Sequence, residues 1–195
     1  METHYMKPGG GSKKGSKFER DICIRLSEWW SRALEGEVRQ DIFWRASQSG
    51  GRATQRAKSG KRTAGSYGDV AAVDPVGAPL LQVFTLELKR GRSHGDIGDV
   101  IDIPVTGYKP RPFENTLKQA FDSHKLAGSL SWLVISQRDR RRCLVIGDYA
   151  FFEKHFDLEL PRVFLPHGWI LTYLPFRVFL RKVSPMKIIH LKRNI

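Results

Sequence analysis

Cysteine is scarce in this chain: two residues, Cys23 and Cys143, among 195. Both sit in apolar stretches without paired spacing, which excludes a disulfide framework and predicts reduced core residues. The six histidines are scattered without ligand spacing, so no structural zinc site is expected. No run approaches the roughly 20 apolar residues needed to cross a bilayer. The N-terminus also lacks the apolar core of a secretory leader. These absences predict a protein that stays in the cytoplasm where it is made, or a viral protein acting in the host cytoplasm. Acids are scarce too, 20 Asp and Glu against 33 Lys and Arg, for a net charge of +13. That imbalance speaks to partners rather than to fold. Nucleic acid is the first partner it predicts and an anionic membrane surface the second. The membrane reading is weakened because the clearest amphipathic helix carries Glu19, Asp21 and Glu28 on its polar face.

The chain is long enough for one domain with a sizeable apolar core. Residues 1–15, ending in Pro8-Gly9-Gly10-Gly11-Ser12-Lys13-Lys14, read as a flexible basic arm. Residues 16–183 read as a single domain and 184–195 as a basic C-terminal tail. Ser16 followed by Glu19 has the spacing of a capping box. Phe18, Ile22, Leu26, Trp29 or Trp30, and Leu34 then recur at helical intervals. One helix face cannot bury both Trp29 and Trp30, so one ring is expected in a dimer interface.

Strands are predicted over residues 41–46, 69–74, 81–89, 131–136 and 143–146, with helices over 114–127 and 149–155. Residues 91–112 read as irregular, and 169–173 with 177–180 as a terminal hairpin. The alternation describes an α/β domain with a mixed central sheet flanked by helices. Residues 47–68 are almost all Ser, Gly, Thr, Lys and Arg. A loop of this length inside a domain tends to be functional or disordered.

The chemistry concentrates in Gly68-Asp69 and Glu87-Leu88-Lys89. Alternate residues of a strand share a face, so Glu87 and Lys89 point together while Leu88 points into the core. Eighteen residues separate Asp69 from Glu87, enough for one strand, a turn and a return strand. A carboxylate pair with an amine beside it suits a hard divalent cation and a phosphodiester. A bare Glu-x-Lys is common on solvated strand faces. Here it follows an apolar run in which uncompensated charges are costly.

The order of elements, with Gly15-Ser16-Lys17-Phe18-Glu19-Arg20, Arg45-Ala46-Ser47-Gln48-Ser49-Gly50, Gly68-Asp69 and Glu87-Leu88-Lys89, resembles the PD-(D/E)xK nuclease superfamily. Within it the likeness is to archaeal-type Holliday junction resolvases, over roughly residues 15–136. The family's usual Pro before the first acid is Gly68 here. The resemblance implies a restriction-endonuclease-like core and a homodimer that cuts DNA, branched or duplex. It implies Asp69 and Glu87 as ligands of Mg²⁺, with Mn²⁺ as a substitute. Lys89 would position the attacking water, and Glu19 would complete the acidic pocket.

By the same likeness Ser47 and Ser49 become phosphate contacts. The cations Arg45, Arg52, Arg56, Lys58, Lys61 and Arg62 suit a polyanion in their own right. A polar residue of the second long helix often faces the metal in such nucleases; Lys118, Gln119 and His124 are the candidates. His94 is a loop histidine within reach of a phosphate, and the Arg138–Arg142 turn reads as an ordinary charge run. Two other readings stay open: a duplex-cutting endonuclease of restriction or homing type (or an exonuclease) on the same core, and a non-catalytic nucleic-acid clamp.

Overall fold

The run Phe84-Thr85-Leu86-Glu87-Leu88 is buried on both faces, although its strand lies at one end of the main sheet. In the computed structural model, which describes residues 10–34, 36–46, 67–102, 109–166 and 168–193, this strand organises the rest. Helix α1 (Gly10–Leu34) leads to β1 (Phe43–Arg45) and β2 (Val70–Ala72). A single 3-10 turn (Pro75–Gly77) and α2 (Ala78–Val83) precede β3 (Phe84–Arg90). Then come α3 (Gly98–Ile101), α4 (Pro112–Ala127), β4 (Ser131–Gln137), β5 (Leu144–Asp148) and α5 (Tyr149–His155). The chain closes with β6 (Val163–Phe164), β7 (Ile170–Pro175), α6 (Phe176–Lys182) and α7 (Pro185–Arg193).

The five-stranded sheet has the order β3-β4-β5-β7-β6. Only β3 and β4 are parallel, joined through α4, so the sheet is mixed and the fold α/β. β1 and β2 form a separate antiparallel ribbon. It is tied to β3 where the Asp69 N–H donates to the Leu86 carbonyl at 2.8 Å.

The two faces of the sheet carry two cores. Leu86, Leu88, Leu133, Ile135 and Val145 pack with Ile22, Leu26 and Trp30 of α1 and Ile188 of α7. Trp132, Val134 and Ile146 pack with Phe113, Leu117 and Ala120 of α4 on the other face. Glu87 and Lys89 alternate with Leu86 and Leu88, so they belong to the α4 face.

Several expectations are corrected. α1 begins at Gly10, so residues 10–15 are helical and Ser16 lies inside the helix instead of capping it. Extending a packed amphipathic helix adds one bond per residue, which outweighs weak local propensity. Residues 81–83 close a short helix, because Leu80 and Val83 are buried at helical spacing after Pro79. Residues 177–180 are also helical, with Phe176, Phe179 and Val183 buried, so there is no terminal hairpin there. The segment read as a basic tail contains α7, whose Ile188 is fully buried. Both tryptophans pack within the chain. Trp30 is buried and donates Nε1–H to the Val76 carbonyl, and Trp29 packs against Phe179. Among the described residues, no helix is long and apolar enough to cross a membrane.

Candidate active site

Three bonds donated by backbone N–H groups assemble the centre. The Asp69 N–H reaches Leu86, the Ala46 N–H reaches the Asp69 carbonyl at 3.0 Å, and the Leu88 N–H donates to Asp69 Oδ2 at 2.8 Å. The first acid is thereby fixed against the strand that carries the second. Gly68 makes the approach possible. Its φ of +80° is in the left-handed region, and a Cβ there would lie 2.6 Å from the Leu86 carbonyl oxygen. Proline is locked near −65° and cannot take this backbone, which accounts for glycine at this position.

Asp69 and Glu87 are brought together, both buried, at 6 % and 1 % exposure. Lys89 Nζ donates to Glu87 Oε1 at 2.6 Å, and Gln119 Nε2 of α4 donates to the same oxygen at 2.5 Å. Burial first, then the adjacent Asp69 charge, pushes the Glu87 carboxyl up to about 7, against the opposing pull of Lys89. Asp69 also stands close enough to share a hydrogen bond with Glu87, which raises the carboxyl further. Two buried carboxyls with one amine are short of positive charge, and near neutrality the pair retains a proton in place of a cation.

Glu19 lies on α1, with its Oε2 accepting from Arg45 Nε at 2.6 Å, and it does not join Asp69 and Glu87 in a three-acid group. Cys23 beneath it feels Glu19, Arg45 and Asp69 together; burial, then Glu19, lift its thiol to about 12, with Asp69 adding and Arg45 opposing. Arg45 is therefore engaged as a counter-ion to Glu19. His94, on the loop after β3, is held below its usual range by desolvation and then by Lys89.

Of the three α4 candidates only Gln119 reaches the acids. Lys118 pairs with Asp122 at 3.0 Å, and His124 Nδ1 lies 3.2 Å from the Ser129 carbonyl. The sequence pattern could not choose among them, since the choice depends on how α4 is rotated about its axis. Ser47, Ser49, Arg52, Arg56, Lys58, Lys61 and Arg62 lie outside the described residues.

Among the described residues no group of three or more His, Cys, Asp or Glu is placed to hold a metal ion. The candidate donor set is thus a pair, Asp69 and Glu87, with Glu19 committed to Arg45. That set fits Mg²⁺, which keeps several waters and takes one or two protein carboxylates. Burial is the larger cause of the raised Glu87 carboxyl and the Asp69 charge the second; only the second is one that a cation would relieve. No protein-family profile, curated protein or solved structure matches the chain.

Proposed function

We propose that this chain is a Mg²⁺-dependent DNA endonuclease of the PD-(D/E)xK type, with a restriction-endonuclease-like core and selectivity for branched DNA. The observation that carries the reading is the juxtaposition of Asp69 and Glu87 with Lys89, whose amine sits 2.6 Å from Glu87 on one sheet face. Asp69 and Glu87 would hold the ion, and Mn²⁺ would substitute. Bound there, it would supply Lewis-acid stabilisation to a phosphodiester under attack and lower the pKa of a water.

The remaining work falls to the chain. Lys89 is a compact cation at the mouth of the pair, able to orient a water and meet developing negative charge. Gln119 holds Glu87 Oε1 in place. Arg45 neutralises Glu19, so the pocket is not overloaded with like charge. The net charge of +13 brings a polyanion to the site. On the same reading Ser47, Ser49, Arg52, Arg56, Lys58, Lys61 and Arg62 are phosphate contacts. The protein would act in the cytoplasm as a homodimer, because a junction has two strands to nick and a two-fold dimer offers two matching sites.

Digestion of labelled four-way junctions, linear duplexes and single strands with Mg²⁺ or Mn²⁺ tests the reading. Symmetric nicks in the junction, faster than cuts in its duplex arms, support it. Equal rates would replace junction selectivity with a duplex endonuclease of restriction or homing type, and shortening from ends with an exonuclease. Binding without cutting in either metal would leave a nucleic-acid clamp.

A further inference from the structure

Among the described residues, the turn between β4 and β5 gathers Arg138, Arg140, Arg141 and Arg142. Lys89 is the register partner of Ser136, and Ser136 is the partner of Leu144. Register partners point to the same side of a sheet, so Ser136 and Leu144 share the face of Glu87 and Lys89. A cleft of ≈ 610 Å³ opens over them, floored by Ser136, Leu144 and Ile146 and walled by Arg138, Arg140 and Arg142. Its floor starts one strand over from Lys89, a spacing of about 4.8 Å.

The turn is anchored to the end of β3 that carries Lys89 and to α1. Asp139 receives Arg90 Nη2 at 3.2 Å, immediately after Lys89, and Lys14 of α1 at 3.8 Å. The Gly91 N–H donates to the Gln137 carbonyl, and Arg138 Nη1 donates to Asp96 Oδ2 at 2.6 Å. The Gln137 amide in turn holds the Arg141 carbonyl at 3.0 Å. These bonds engage Asp96 and Asp139, and Asp99, which also acts on Arg138, accepts from the Asp96 N–H at 2.7 Å. Among the described residues no carboxylate pairs with Arg140, Arg141 or Arg142, and all three are exposed. Arg140 sits at φ 60°, a left-handed conformation that glycine takes without strain. A turn needing only its shape would favour glycine there. A long cation held in that conformation points to a use for the side chain.

We propose that the 138–142 turn grips the sugar–phosphate backbone of the strand lying across the acid pair, with Arg140 and Arg142 as phosphate contacts. The inference rests on the nuclease reading only for the position of the scissile phosphate; backbone binding by the turn stands independently of cutting.

The test is binding of a short labelled DNA duplex by the full chain in metal-free buffer across a salt series. The double variant Arg140→Gly/Arg142→Ala removes two cations while relaxing the left-handed turn, so its melting temperature should match or exceed the wild type's. It should bind roughly tenfold more weakly, and its slope of log affinity against log salt should shrink by about 1.8, or about 0.9 for each phosphate no longer neutralised. The control is Arg32→Ala/Arg181→Ala, which removes the same charge from the cleft between α1 and α6. It should leave the slope close to the wild-type value. Equal weakening by both variants, no weakening by the first, or no binding by the wild type overturns the inference. A wild type that cuts while the turn variant binds normally refutes the turn alone. A wild type that never cuts, with binding that depends on the turn, refutes the nuclease reading alone.

Discussion

Asp69 Oδ2 accepts the backbone N–H of Leu88 at 2.8 Å, so the residue between Glu87 and Lys89 is the one that docks the first acid onto their strand. Leu88 thus has two roles: its side chain fills the core against α1 while its amide sets the carboxyl pair. The geometry of the acid pair and the packing of this strand cannot be varied separately.

Gly68 is the hinge of that arrangement. Gly68→Ala places a Cβ 2.6 Å from the Leu86 carbonyl oxygen and imposes a left-handed φ on alanine. We expect a loss of stability on the order of 1–3 kcal/mol. DNA cleavage should fall further than stability does, because Asp69 must shift with the backbone. Thermal melting and cleavage rates of the one variant measure both, and an unchanged rate would contradict the role given to the turn.

Glu87 makes stability depend on pH in an unusual direction for a carboxylate. Its folded value of about 7 lies above the ordinary 4.5, so the folded protein binds the extra proton. Its stabilising contribution is complete below pH about 4.5 and is lost as pH rises through about 7. The loss is on the order of 3 kcal/mol in metal-free protein. Melting temperatures of wild type and Glu87→Gln over this range should therefore converge at low pH, apart from a constant offset. They should diverge at high pH, in favour of the variant.

Added metal should reverse that trend. If Asp69 and Glu87 hold Mg²⁺, the ion replaces the proton and stabilises the folded state by roughly 2.7 kcal/mol at a concentration a hundred times its dissociation constant. The rise in melting temperature should be larger above neutrality than below it. It should vanish in Asp69→Asn and Glu87→Gln, and calorimetric titration of the three proteins checks the assignment without any substrate.

Glu19 and Arg45 should behave as one unit. Their bond of 2.6 Å is partly shielded from solvent. A double-mutant cycle with Glu19→Ala and Arg45→Ala should show a coupling on the order of 1 kcal/mol. Strict additivity would free Arg45 for the phosphate contact expected from sequence.

What was legible in the sequence follows from which signals are local. Alternation along 84–90 placed Glu87 and Lys89 together, and the short connection from Asp69 returned the first acid to them. Short apolar runs were ambiguous: Leu80 with Val83, and Phe176 with Phe179, fit helix or strand until the rest of the fold selects a face. The Ser16 capping pattern failed because α1 continues upstream, and Glu19, released from that duty, turned to Arg45. Gln119 and the Arg138–Arg142 turn could not be ranked, since each gains its meaning from a neighbour distant in sequence, Glu87 for one and Lys89 with Ser136 for the other.

The most direct measurement is cleavage of a labelled DNA junction with Mg²⁺ by wild type, Glu87→Ala and Lys89→Ala, with binding followed in parallel. Wild type should cut, while both variants bind with wild-type affinity and fail to cut. Cutting by either variant at the wild-type rate, or a wild type inert with both Mg²⁺ and Mn²⁺, would contradict a nuclease centre at Asp69, Glu87 and Lys89.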